Sequence, residues 1–127
     1  MKILDFLSED CILCGMDGKT KKEVITELVE VLAKKKLVKD VDKTVEAIIK
    51  RENTGSTGIG QGVAIPHAKS ENVSKIVASL GISRTGVEFN SLDGEPAYII
   101  FLMLAPPESV SEHLQAIAKV SRLLKDK

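Results

Sequence analysis

The 127-residue chain predicts an α/β fold, a single domain over residues 1–127 whose mixed β-sheet is flanked by helices on both faces. Three observations carry this. The length suits one domain with a substantial buried core. Helical periodicity occurs twice before residue 52 and again after residue 109, with strand-like segments between. Tyr98 to Leu104 is apolar on both faces, as expected of a central strand covered on two sides.

The elements follow in order. Thr20 and Glu23 match a capping box, and Val24, Ile25, Leu28, Val29, Val31 and Leu32 recur at helical spacing, so a first helix is expected to about Lys36. Asp40 suits the N-cap of a second helix with Val41, Val45, Ile48 and Ile49 on its apolar face, ending near Arg51. The run NTGSTGIGQG from Asn53 to Gly62 has neither period and holds four of the nine glycines, so it reads as a loop with unusual backbone dihedrals. Val63, Ala64 and Ile65 read as a short buried strand that Pro66 must end or place at an edge, with His67 following. Ile76 to Ser83 alternates as a strand, Val87, Glu88 and Phe89 begin another after Gly86, and Ser91 to Gly94 forms a turn. Pro106 and Pro107 stop the apolar strand. Ser109 and Glu112 match a second capping box, with Leu114, Ile117, Ala118 and Leu124 on the helix that follows.

Composition excludes several function classes. Hydrophobic residues at 43% and charged residues at 28% describe a globular protein rather than a disordered or fibrous one. Eighteen basic residues balance eighteen acidic ones, which gives no field drawing the chain to nucleic acid or an anionic membrane. No Trp is present and aromatics are scarce, so stacking platforms for single-stranded bases are not expected. The longest apolar run, Tyr98 to Ala105, is far shorter than the ~20 residues of a spanning helix, and Met1 to Leu7 lacks a signal-peptide core. A cytoplasmic location follows as the expectation. Cys11 and Cys14 have redox-motif spacing, but the residues between them are apolar and a zinc site would need two further ligands, so the pair is expected to be structural. The spacing of Gly58, Gly60 and Gly62 is not that of a dinucleotide fingerprint, and it precedes a strand rather than opening a helix. ATP and NAD are therefore not expected.

The least generic segment joins Arg51 and Glu52 to the run STGIGQGVAIPHA from Ser56 to Ala68. This stretch closely resembles the signature of the fructose/mannitol-type IIA component of the bacterial phosphoenolpyruvate-dependent sugar phosphotransferase system, in which the histidine after Ala-x-Pro accepts a phosphoryl group. His67 occupies that position, and His113, 46 residues further on, falls where the family carries its second active-site histidine. Arg51 aligns with the family's active-site arginine. The resemblance covers essentially the whole chain, and the residues Ala68 to Glu71 and Ser91 to Gly94 look most like fructose-type members. Family members commonly continue past the position of Lys127, so a short C-terminal segment is expected to be lacking.

The resemblance implies a phosphocarrier. His67 would take a phosphoryl group from the general phosphocarrier protein HPr and pass it to a cysteine on a sugar-specific IIB domain, touching the membrane permease only through IIB. No cofactor and no metal are implied. The chemistry is consistent with this, because an imidazole with pKa about 6.5 is mostly neutral at pH 7 and phosphoryl transfer asks its surroundings chiefly for positioning and charge compensation. The planar fork of Arg51 suits phosphate oxygens. Backbone N–H groups of Gly58 and Gly60 and the hydroxyl of Thr57 are further candidates for binding the phosphate. His113, at the start of a helix, would sit where partial positive charge favours its neutral form and attracts phosphate. Because two partners must reach one histidine, a shallow site with an apolar rim is expected. Two alternatives stand beside this reading: a regulatory, nitrogen-type IIA paralogue with the same chemistry, and a thiol redox protein using Cys11 and Cys14.

Overall fold

The computed structural model describes residues 5–91 and 93–125. Among them the elements run β1 (Leu7–Leu13), α1 (Lys21–Lys34), α2 (Val41–Thr54), β2 (Gly58–Gly60), β3 (Val63–Ala64), β4 (His67–Lys69), β5 (Val77–Val87), β6 (Ala97–Ala105) and α3 (Val110–Lys125).

The helices start where the sequence places them. Thr20 Oγ1 accepts from the Glu23 N–H at 3.2 Å and the Glu23 carboxylate accepts from the Thr20 N–H at 3.1 Å, completing the capping box of α1. The helix closes at Lys34 rather than Lys36, because Lys36 turns into the left-handed region (φ 61°) and the Lys36 and Leu37 N–H groups bond back to the Ala33 and Leu32 carbonyls. Asp40 caps α2 through the Lys43 N–H at 3.1 Å, and the helix runs to Thr54, past the expected end at Arg51.

The strands form one mixed sheet in the order β1-β5-β6-β3-β2, with β4 also on β6. β5 and β6 are antiparallel, whereas β1 runs parallel to β5 and both β3 and β4 run parallel to β6. Val63 faces Ile99 and Lys69 faces Ala105, so six residues advance on each strand and the register is unbroken across Ile65 and Pro66. β2 pairs with β3 only, and no strand among the described residues pairs with the outer edge beyond Pro66. Pro66 thus lies where the sheet becomes an edge, and His67 follows directly beside the central strand.

Helices cover both faces. On one, Ser79 Oγ donates to the Leu28 carbonyl of α1 at 3.1 Å, and Gly81 leaves room for Met16 and Leu28. Leu102 and Ile100 share that face with them by register and are fully buried. On the other, Phe101 meets Phe6 edge-to-face at 6.4 Å between ring centroids, and Phe6 lies beside Ser109 and Glu112 at the start of α3. His67 is opposite Met103 and shares this second face.

Three expectations are corrected. β1 was not expected as a strand: Ser8, Glu9 and Asp10 are consecutive exposed polar residues, and a register shift between Leu7 and Ile12 erases the alternation. The segment from Asn53 to Gly62 is not all loop, since α2 takes its first two residues and Gly58–Gly60 form β2. The strands expected on either side of Gly86 are one strand, β5, which passes through Gly86 at φ 87° with an irregular register between Ile82 and Val87. The turn at Ser91 closes through the Gly94 N–H on the Ser91 carbonyl at 3.0 Å, while Leu92 within it lies outside the described residues.

Candidate functional site

His67 is positioned by backbone on two sides. The Pro66 carbonyl accepts from the Met103 N–H at 2.9 Å, which fixes the chain against β6. The His67 Nδ1 lies 2.7 Å from the Ile65 carbonyl oxygen. A carbonyl can only accept, so Nδ1 carries the proton and Nε2 keeps the free lone pair in the neutral ring. Burial holds the His67 pKa below the ordinary histidine value; the Ile65 bond opposes this, Arg51 adds to it and Glu52 opposes it. The ring is therefore mostly neutral at pH 7, with its free lone pair on Nε2.

His113 stands edge-on to His67, with ring centroids 5.6 Å apart and planes at 85°. The first turn of α3 brings it there, its N–H bonded to the Ser109 carbonyl at 3.0 Å. It is buried, and its pKa is pushed down to about 4 by burial and by the nearby charges of His67 and Lys69. Its Nε2 is a buried polar atom with no hydrogen-bond partner, a costly arrangement unless another molecule supplies one. Both rings line a cleft of about 570 Å³ between α2 and α3, above β4. Lys50, Arg51 and Lys69 also line it, and no carboxylate does among the described residues. Ala47, Ile117 and the 64% exposed Leu114 give it an apolar side. The cleft thus offers a nucleophilic nitrogen, an unpartnered imidazole and three cations, a set suited to a transferring anion.

The family model "Phosphoenolpyruvate-dependent sugar phosphotransferase system, EIIA 2" matches residues 5–127. The chain belongs to this family. This EIIA chain is 41% identical over 124 residues to the "PTS system fructose-specific EIIABC component" of Bacillus subtilis, a match covering 98% of the chain but only 20% of that protein. It is 35% identical over 127 residues to a "Nitrogen regulatory protein" of Bradyrhizobium diazoefficiens, covering 99% of the chain and 82% of the relative. Among solved structures, the crystal structure of Nitrogen Regulatory Protein IIA-Ntr from Neisseria meningitidis superposes with a TM-score of 0.91 at 31% identity, over 98% of this chain and 85% of that one. Enzyme IIAMTL of Escherichia coli, in its complex with phosphorylated enzyme IIBMTL, gives a TM-score of 0.78 at 25% identity, over 94% and 81%. The family carries out phosphotransfer, and both sugar-specific and nitrogen-regulatory relatives are similar to this EIIA chain. Among the described residues no helix is long and apolar enough to cross a membrane.

Of the residues singled out in the sequence, His67, His113 and Arg51 meet in the cleft. The Arg51 guanidinium donates to the Gly55 carbonyl at 2.8 Å and reaches Thr54 Oγ1 at 3.4 Å, so the side chain closes the end of its own helix. Thr57, Gly58 and Gly60 are not brought there. Thr57 is buried with its hydroxyl donating to Glu52. The Gly58 N–H bonds to Ser56 Oγ at 3.0 Å, and a side chain at Gly58 would run into Ser91. Gly60, at φ 90°, begins the tight turn into β3 and packs beside Asp93. Cys11 is fully buried inside β1, and burial pushes its thiol up, away from the reactive thiolate that redox chemistry needs. Lys50, Lys69 and Leu114 were not expected at the site. The missed signal for Lys50 and Lys69 was adjacency, since each directly neighbours a predicted site residue or its strand.

Proposed function

We propose that this EIIA chain accepts a phosphoryl group on Nε2 of His67 from phosphorylated HPr and passes it to the cysteine of a fructose-type IIB domain. The observation that carries the reading is the His67 Nδ1 bond to the Ile65 carbonyl, which leaves Nε2 as the nucleophile in a ring lining a cation-rich cleft. Nε2 attacks the phosphorus of the donor phosphohistidine, the donor's N–P bond breaks, and the electron pair returns to the donor imidazole. Attack places positive charge on the His67 ring, which the Ile65 carbonyl, accepting from Nδ1–H, stabilises. In this reading His113, donating from Nε2–H, and the Arg51 guanidinium, released from the Gly55 carbonyl, meet the phosphoryl oxygens. The reverse attack by a thiolate then removes the group. The apolar side of the cleft around Leu114 suits transient docking of either partner, and a cytoplasmic location agrees with this role.

The fructose assignment is supported by the 41% identity to the Bacillus subtilis protein, of which this chain spans a fifth. The similarity to nitrogen-regulatory relatives favours a second reading, in which phosphorylated His67 signals through protein binding instead. Incubation with labelled phospho-HPr and then with purified IIB domains tests both. Label reaching a fructose-type IIB supports uptake. Label held on the protein with no IIB able to discharge it favours regulation, and no label at all refutes the phosphocarrier reading.

A further inference from the structure

Beneath the cleft, Glu52 is a buried acid in the last turn of α2, where the helix's own partial negative charge disfavours it. It is held there by three donors from two residues. Its carboxylate accepts from the Thr57 N–H at 3.2 Å and from the Thr57 hydroxyl, and Lys21 Nζ lies 3.0 Å away, itself 5.1 Å above the Phe89 ring. Thr57 continues the path, since its carbonyl accepts from the Ile65 N–H at 3.0 Å. Ile65 ends it, because its own carbonyl is the group to which His67 Nδ1 is tied at 2.7 Å.

We propose that Glu52 is a positioning residue for His67, acting through Thr57 and Ile65 to fix the carbonyl that selects the ring's tautomer. Ile65 precedes proline, which confines its backbone to the extended region but leaves tens of degrees of freedom in ψ. The Pro66 carbonyl on the Met103 N–H restrains the chain after Ile65, and the Thr57 bond restrains it before. Thr57 in turn is buried just before β2, where the β2–β3 pairing holds the backbone and Glu52 anchors the side chain through its hydroxyl. A buried ion pair adds little stability over apolar residues of equal volume, so what Glu52 and Lys21 contribute is geometry.

This inference rests on His67 being the acceptor, but its test needs no phosphate. Imidazole ¹⁵N shifts of His67 are measured on the unphosphorylated protein at pH 8, for wild type, Glu52→Gln, Thr57→Val and Thr57→Ser, with folding followed by amide spectra. Wild type is expected to be dominated by the Nδ1–H tautomer. Glu52→Gln and Thr57→Val should lower the ratio of Nδ1–H to Nε2–H about fivefold, the factor that one ordinary net hydrogen bond represents. Thr57→Ser keeps the hydroxyl and should keep the wild-type ratio. Folded Glu52→Gln and Thr57→Val proteins with the wild-type ratio would overturn the inference, as would loss of folding in both, which would assign the contacts to stability alone. Either result leaves phosphoryl acceptance by His67 standing. Conversely, a wild type that takes no phosphate would sink the acceptor reading without altering the tautomer result.

Discussion

The open cleft and the buried contacts beneath it use the same kinds of group in opposite ways. Among the described residues, the cleft gathers three cations without a carboxylate, and the buried His113 Nε2 has no partner. A few residues below, Glu52 faces Lys21 and two Thr57 donors, so charge and hydrogen bonding are matched. Unmatched donors and cations are stabilised only when an anion arrives, whereas the matched set holds its shape without one. Mutations should therefore separate: cleft substitutions should change phosphotransfer with little effect on folding, and substitutions below should act through the position of His67.

The largest effect is expected from His67→Ala, which should abolish phosphate incorporation while the melting curve stays close to wild type. Acid-labile, base-stable label on wild type and none on the variant is the expected outcome. Stoichiometric label on the alanine protein would place the acceptor elsewhere.

Arg51→Ala comes next. If the guanidinium leaves Gly55 for the phosphoryl oxygens, its loss should slow single-turnover transfer from phospho-HPr by roughly 10²–10³. Its exposed helix-end contacts should cost at most about 1 kcal/mol of stability. Arg51→Lys should recover part of the rate, since a point charge lacks the planar fork. A rate within about threefold of wild type for Arg51→Ala would restrict the residue to closing its helix.

His113→Asn should slow transfer by roughly 10- to 100-fold, the value of one hydrogen bond to a charged group, without eliminating it. The same residue gives a pH test. The folded pKa is about 4 against an ordinary 6.5, so between those values the unfolded chain binds a proton that the folded chain refuses. Stability should therefore fall as pH drops from 6.5 towards 4, by on the order of 3 kcal/mol from this group, with His67 adding in the same direction. Urea unfolding of His113→Asn should lack most of that slope. An unchanged slope would mean that His113 opens to solvent and titrates normally.

The smallest effect belongs to the cleft rim. Lys50→Gln and Lys69→Gln should each lower the rate of transfer a few-fold at low ionic strength, and the loss should fade as salt rises, as for exposed steering charges. A salt-independent loss would instead indicate direct contact with the phosphoryl group.

Much of this was legible before the structure, and the parts that were not share a cause. α1, α2 and the central strand β6 announce themselves through caps and unbroken apolar patterning. β1 hides because three exposed polar residues interrupt it, and β2 because Gly-Ile-Gly carries almost no strand propensity and owes its place to β3. At the site, His67 and His113 were visible as the chain's only histidines, joined by one family signature. Glu52 was visible only as the neighbour of Arg51. An acid in the last turn of one helix and a base in the first turn of another are each misplaced on their own helices, and that double anomaly was the available signal for their pairing. Thr57 reads as a phosphate candidate because a loop hydroxyl beside glycines suits it, and nothing local reveals that Glu52 reaches it first.

Whether Nε2 of His67 is the nucleophile can be read from the coupling between phosphorus and the imidazole nitrogens. The protein is labelled with ¹⁵N-histidine, phosphorylated by phospho-HPr and kept at alkaline pH, and the nitrogen split by ³¹P is identified. Splitting is expected on Nε2 of His67, with Nδ1 retaining its proton against the Ile65 carbonyl. Splitting on Nδ1 of His67, or on either nitrogen of His113, would contradict that assignment.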